Sequence, residues 1–343
     1  MINVLYRLVA PRIIDVAYQE VEFNTSSLVI RPLYLAICKA DQRYYQGMRS
    51  PKALKSKLPM ALLHECVAQV VYDGTGHFKS GDMVIPVPNT PTQTDDVIAE
   101  NYLRTSHFRS SGYDGYLQDY ILTTPDRVVL LPEDSNINLT VAAFTELISV
   151  SVHAITRFDR FSHSRRDTIG IWGDGNLGFI TAILLRYLFP DTKLYIFGTV
   201  DEKLSYFTFA DKTFHVDNVG SDVCVDHAFE CVGGAGSSIA INQIIDKINP
   251  EGTISLMGVC EKFADINTRM VLEKGLNLYG SSRSGVEDFK NSVEIMTKHP
   301  EISHYLENLV GEVIDIKSID DIHLAFDHDF NRNHGKTVLK WNK

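Results

Sequence analysis

Apolar positions follow two rhythms along this chain. Up to about residue 150, short β-like runs such as Leu28 to Ile30, Val67 to Tyr72 and Asp82 to Val87 are separated by turn residues, which predicts an all-β region. From Asp167 the rhythm alternates between strand and helix. Ile169 to Trp172 reads as a buried strand, and Leu177, Ile180, Leu184 and Leu188 then share one helical face until Phe189-Pro190-Asp191 stops the helix. Lys193 to Phe197, Val225 to Glu230 and Thr253 to Gly258 read as further strands, with a helix from Ser238 to Ile248. This succession predicts an α/β fold with a doubly wound parallel sheet. After about Gly285 the pattern is mixed, and it closes on a strand from Thr337 to Trp341. No internal repeat interrupts it.

Length supports a division into two domains, because 343 residues exceed what one core usually holds. The expected boundaries are 1–150 with 286–343 for a discontinuous mainly-β domain, and 151–285 for the doubly wound one. The longest apolar candidate for a membrane span, Gly178 to Phe189, is short and contains Arg186, so no membrane insertion is expected. Met1 to Ala10 has an early arginine and no small-residue cleavage site, which points to a cytoplasmic protein rather than a secreted one. A formal charge of -10 disfavours nucleic acid as a partner, although an anionic small molecule needs only a few local arginines. Cysteines at 38, 66, 224, 231 and 260 form no C-x-x-C pair and suit reduced thiols. The basic segment Arg157 to Arg166 reads as a solvated loop ahead of the first parallel strand.

Gly173-Asp174-Gly175-Asn176-Leu177-Gly178 matches G-x-G-x-x-G between a predicted strand and a predicted helix. Gly173 permits the tight turn, Gly175 lets backbone approach a pyrophosphate, and Gly178 lets the helix pack on the sheet, the signature of a Rossmann dinucleotide site. An NAD site normally carries an acid at the end of the next strand, some 20 residues on. Here that strand ends in Gly198, with Thr199 as a hydrogen-bond donor and Lys203 as a positive charge, which favours NADP(H). A slip of a few residues would bring Asp201 to the ribose instead.

Cys38, His64, Glu65 and Glu146 are candidate metal ligands, since a thiolate, an imidazole and carboxylates suit zinc. Each also has a plain structural reading: Cys38 as a small buried hydrophobe, His64 as a hydrogen-bonded core residue, Glu146 as a helix-surface acid. Their spacing does not choose between the two.

Taken together these motifs resemble the medium-chain zinc alcohol dehydrogenases, in which a split GroES-like catalytic domain surrounds a Rossmann domain. Cys38-x-x-Asp41 stands at that family's first-ligand position, His64-Glu65 at its Gly-His-Glu position, and Glu146 to His153 resembles the Glu-Pro-Leu segment of polyol dehydrogenases. The resemblance implies that Cys38, His64 and Glu65 ligate one catalytic zinc, with Glu146 as a fourth ligand or as the holder of a metal-bound water. The family's cysteine-rich lobe is missing between Cys66 and Cys224, so no structural zinc is expected. Leu63 and Ala68 replace the glycines that flank His-Glu. Ala40 and Arg43 replace the usual hydroxyl and histidine relays, leaving water, Glu65 or Glu146 to carry the proton.

Gly170 to Gly178, Ala228 to Gly234 including Val232, Val271 to Leu276, Gly280 to Gly285 and Gly335 to Trp341 resemble a narrower branch, the ribulose-5-phosphate reductases of bacterial wall teichoic acid and capsule synthesis. That resemblance implies NADPH-dependent reduction of D-ribulose 5-phosphate to D-ribitol 5-phosphate, coupled to a ribitol-5-phosphate cytidylyltransferase. A homodimer or homotetramer is the expected assembly. Arg43, with Arg109 and Arg283 behind it and Arg104 in a bordering segment, is the candidate holder of the substrate phosphate. The competing expectations are an NAD-dependent polyol dehydrogenase acting on an unphosphorylated sugar alcohol, and a zinc-free NADP-binding regulatory protein on the same fold.

Overall fold

Leu28–Ala36 and Glu65–Asp73 pair antiparallel at the centre of a seven-stranded sheet in the computed structural model, which describes every residue except Phe23. Lys336–Trp341 lies on the other side of Leu28–Ala36, antiparallel to it. The chain divides into two compact units, Met1–Ser149 with Ser284–Lys343, and Val150–Arg283.

In the first unit, register decides which chain ends meet. Ala36 stands opposite Glu65 on one side and opposite Val338 on the other. The sheet therefore brings the residues just beyond Ala36, the start of the Glu65 strand and the start of the Lys336 strand to one edge of the same layer. Behind the sheet the helix Ile319–Asn331 buries Ile322, Ala325 and Phe326. Two short helices, Lys39–Tyr45 and Pro51–Lys57, break what the sequence pattern presents as all-β. Their apolar positions are too few to register as helical period. Tyr45 stacks on Phe326 with ring centroids 4.3 Å apart, and Gln42 donates to the Phe326 carbonyl at 2.6 Å. These contacts pin the helix whose N-cap is Cys38.

The second unit is a six-stranded parallel sheet in the order Lys212–His215, Lys193–Gly198, Thr168–Trp172, His227–Glu230, Thr253–Leu256, Asn277–Gly280. Strand order reverses between Thr168–Trp172 and His227–Glu230, the doubly wound arrangement. Trp172 stacks on Phe197 at 3.8 Å and Phe197 on Phe214 at 5.1 Å, so the residues that precede Gly173 and Gly198 sit in a rigid aromatic ladder. The helix Asn176–Leu188 is buried at every position from Gly178 to Leu185, rather than along the single stripe the spacing predicts. Arg157 to Phe161 is the end of the helix Thr145–Phe161, not loop, and Arg166 is paired with Asp159 at 2.6 Å. Among the described residues no helix is long and apolar enough to cross a membrane.

One buried histidine gives this unit a pH signature. Thr253 N–H donates to His227 Nδ1 at 3.1 Å, which leaves the ring hydrogen on Nε2, facing the Arg165 carbonyl at 3.0 Å. Burial, together with the neighbouring His163, lowers its pKa to about 4. As pH falls from about 6.5 toward 4 the unfolded chain takes up a proton that the folded chain refuses, so this contribution is complete above 6.5 and is lost below it. Between pH 7.5 and 5 the loss is expected to be about 2 kcal/mol. Thermal unfolding of the parent and of His227→Gln at both pH values checks it, since the variant should lose less stability on acidification. Equal slopes would exclude His227 as the cause.

Candidate active site

Cys38 caps the N-terminus of Lys39–Tyr45, and its Sγ accepts from the Ala40 N–H at 3.4 Å. His64 precedes the strand Glu65–Asp73 and follows Leu63, a buried residue with φ of 68°. That left-handed backbone is where the related pattern has glycine; leucine adopts it here at a cost of roughly 1 to 2 kcal/mol. It is held there from both sides, because Leu63 N–H donates to Asp41 Oδ1 at 3.1 Å and Tyr116 N–H donates to the Leu63 carbonyl at 2.7 Å. The turn aims His64 back toward Cys38.

The sulfur of Cys38, a ring nitrogen of His64 and a carboxylate oxygen of Glu65 all lie within 4.8 Å of one another. Ligand atoms of one tetrahedral zinc sit roughly 2.0 to 2.3 Å from the ion, so such a triangle is within reach of a single metal. The donor set supports this fit, since His64 Nδ1 faces Asp41 Oδ2 at 3.3 Å, the carboxylate partner that fixes a ligating imidazole. Asp41 is fully buried and also accepts from Ser110 Oγ at 2.5 Å. Burial opposes its charge, yet His64, Ser110 and the Leu63 N–H hold it below the usual carboxylate range. Burial likewise opposes a charged His64, and Asp41 and Cys38 outweigh it, raising the imidazole well above its ordinary value. Metal uptake at this ring would therefore release a proton.

Glu146, in the first turn of Thr145–Phe161, places Oε2 3.9 Å from His64 Nε2. Burial raises its carboxyl to about 7, with the Glu65 charge adding to the effect and His64 opposing it. It is buried rather than a surface acid. Lys336 completes the cluster. Its Nζ, on a side chain 3% exposed, donates to Glu65 Oε1 at 2.9 Å and lies 2.7 Å from Oε2. Sequence reasoning missed it, because a lysine at the start of a strand looks solvated until the register places it over Glu65.

The arginines separate. Arg43 sits half-buried on the Cys38 helix, five residues beyond the cysteine. Arg109 spends donors on the carbonyls of Asp114 and Leu122 and lies over the Tyr116 ring. It lines a hollow of about 390 Å³ that contains none of Cys38, His64 and Glu65. Arg283 belongs to the second unit, with φ of 58°.

In that unit the glycine loop has the room a dinucleotide needs. Gly173 has φ of 127°, a Cβ on Gly178 would strike the Gly173 carbonyl oxygen, and a Cβ on Gly175 would point into open space. Gly175 opens the helix Asn176–Leu188, whose N-terminal end suits an anion. The strand Lys193–Gly198 ends on Gly198, Thr199 is exposed, and Lys203 lies on the short helix Asp201–Leu204. Asp201 is exposed in the first turn of that helix. Two neighbours were not anticipated. Asp174 Oδ2 accepts from the amides of Thr199 at 2.7 Å and Val200 at 2.9 Å, and His215 Nε2 lies 3.0 Å from the Thr199 carbonyl. A Cβ on Gly198 would come within 2.7 Å of the Asp174 side chain. Val232, 43% exposed, follows the strand His227–Glu230.

Comparison with known proteins matches this chain to the alcohol dehydrogenase GroES-like domain over residues 24–133 and to the glucose dehydrogenase C-terminus over residues 139–340. It is 53% identical over 341 residues to ribulose-5-phosphate reductase 1 of Staphylococcus aureus, covering 99% of both chains. It is 52% identical over 341 residues to the ribulose-5-phosphate reductase of Bacillus spizizenii, again covering 99% of both. Among solved structures, S. aureus TarJ in complex with NADPH superposes with a TM-score of 0.90 and 48% identity, over 100% of each chain.

Proposed function

Because the chain belongs to the ribulose-5-phosphate reductases, within the medium-chain zinc alcohol dehydrogenases, we propose that it reduces D-ribulose 5-phosphate to D-ribitol 5-phosphate with NADPH. The product would pass to a cytidylyltransferase that makes CDP-ribitol for teichoic acid or capsule. We place the enzyme in the cytoplasm, as a homodimer or homotetramer with one catalytic zinc per chain and no structural one. The observation that carries this reading is the convergence of Cys38, His64 and Glu65 in a chain similar to such reductases from end to end.

A zinc ion gripped by Cys38, His64 and Glu65 would supply Lewis acidity to the C2 ketone, and bound NADPH the hydride. Asp41 keeps His64 Nδ1 occupied, so Nε2 is the ligating atom. Glu146, beside that nitrogen, is a further ligand or the group that gives its carboxyl proton to the C2 oxygen as the ketone becomes the alcohol, directly or through water. Gly173, Gly175, Asn176, Leu177 and Gly178 hold the pyrophosphate, Val232 flanks the dinucleotide, and Thr199 and Lys203 hold the 2'-phosphate, with no carboxylate at position 198 to repel it. Arg43 holds the substrate phosphate, with Arg109 and Arg283 as weaker candidates.

An absorbance assay of NADPH oxidation with ribulose 5-phosphate, with ribulose, and with NADH in place of NADPH tests the whole reading. Asp174 lends support to the NAD-dependent polyol dehydrogenase, since it sets an acid beside Gly198. Preference for NADH and for unphosphorylated ribulose would establish that alternative. A chain that retains no zinc and ignores chelators would be a regulatory protein on this fold. Within the proposed reaction, Arg43→Ala is expected to raise KM for ribulose 5-phosphate by about 1 to 3 kcal/mol, on the order of 10- to 100-fold, with kcat changed less. Steady-state kinetics at saturating NADPH decides it, and an unaltered KM removes Arg43 from the role.

A further inference from the structure

Glu230 ends the strand His227–Glu230, beside Thr168–Trp172, at the point where the parallel sheet reverses its order. Its side chain is 1% exposed. What satisfies the carboxylate is backbone: Val232 N–H donates to Oε1 at 3.0 Å, Gly233 N–H to Oε1 at 2.9 Å, and Gly258 N–H to Oε2 at 3.0 Å. One side chain thus ties the loop after its own strand to the loop after Thr253–Leu256.

The surrounding glycines make room for that tie. A Cβ on Gly258 would lie 2.5 Å and 2.6 Å from the two Glu230 oxygens. Gly233 has φ of 66°, and a Cβ there would approach Val259 N to 3.0 Å. Gly234 N–H donates across to the Val259 carbonyl at 2.9 Å. On the other side a Cβ on Gly173 would lie 3.0 Å from the Cys231 carbonyl, so the glycine loop abuts the same assembly. Burying a carboxylate to brace turns costs solvation that a neutral brace would avoid. Two oxygens shared between two loops give in return a fixed spacing between them. Val232 and Val259, one in each loop, are 43% and 57% exposed.

A doubly wound sheet binds a dinucleotide across its strand ends, one mononucleotide to each half. Gly173, Gly198 and Thr199 stand on the half that takes the adenosine, which leaves the Val232 and Val259 loops to the nicotinamide half. We propose that Glu230 is a positioning residue for the nicotinamide end of the cofactor, setting the distance between these two loops without touching the ligand. This rests on the dinucleotide reading above.

Glu230→Gln keeps the shape but turns one acceptor into a donor facing an N–H. Titration of the zinc-loaded enzyme with NADPH, followed by fluorescence, should show a dissociation constant raised about tenfold. Titration with adenosine 2',5'-bisphosphate, which engages only the adenosine half, should change less than about twofold, a split that general loosening of the unit would not produce. Unchanged NADPH affinity, or equal weakening of both probes, would overturn the inference. If Glu230→Gln does not fold, Glu230→Asp, which keeps the charge but shortens its reach toward the Gly258 amide, is judged by the same split. Parent enzyme that binds neither probe would instead overturn the dinucleotide reading, and this inference with it.

Discussion

Cys38→Ser is expected to lose its zinc on dialysis and to reduce ribulose 5-phosphate at least roughly a thousandfold more slowly than the parent. In the proposed ligand triangle Cys38 supplies the one soft sulfur donor, and a serine hydroxyl is a hard and weaker ligand for zinc. The two other candidate ligands are already contested, His64 by the proton that Asp41 stabilises and Glu65 by Lys336. Folding should survive the change, because Cys38 caps the helix Lys39–Tyr45 and serine is a better N-cap. Metal content by mass spectrometry, turnover, and the unfolding midpoint of the metal-free proteins check the three parts separately. Full zinc occupancy with parental turnover would refute the ligand assignment. A collapsed midpoint would mean that Cys38 serves the fold instead.

Lys336→Met should cost the metal-free protein about 3 to 5 kcal/mol, the penalty for leaving a buried carboxylate without its cation. For a unit of this size that is roughly 10 °C in melting midpoint. Glu65 and Lys336 are 0% and 3% exposed as side chains, so water cannot replace the lost partner. Burial already pushes the Glu65 carboxyl up while Lys336 pulls it down, and without the lysine the group would be driven toward its neutral form. The double variant Glu65→Gln with Lys336→Met should recover most of the loss, because neither member of the pair then leaves its partner's charge uncompensated. Scanning calorimetry of the single and double variants tests this. A single variant within about 1 kcal/mol of the parent would show that the pair is not coupled as its geometry implies.

The parts of this site that the sequence announces are those whose chemistry is local. Cys38, His64-Glu65 and the glycine loop are short motifs, and the doubly wound unit shows in the strand-and-helix rhythm after Asp167. Lys336 and Asp41 are different, since each becomes meaningful only through sheet register or a turn. Nothing in Gly335-Lys336-Thr337 reveals that Ala36 pairs with both Glu65 and Val338 and so brings a lysine onto Glu65. Glu230 did leave a signal, an acid closing the otherwise apolar run Ala228-Phe229, and its position at a strand end could have marked it. Helix Lys39–Tyr45 escaped because seven residues carry barely two turns of periodicity. The helix Asn176–Leu188 shows the converse limit, since burial on every side from Gly178 to Leu185 leaves no polar face there to define a stripe, while Leu188 of the predicted stripe is exposed.

Asp174 has a consequence for how this enzyme could change its coenzyme over time. Its carboxylate fills the hollow beside Gly198 and closes the turn that follows. An acid introduced at 198 alone would collide with that side chain, and loss of Asp174 alone would leave the Thr199 and Val200 amides unanswered. A carboxylate at the end of this strand would therefore require positions 174 and 198 to be exchanged together.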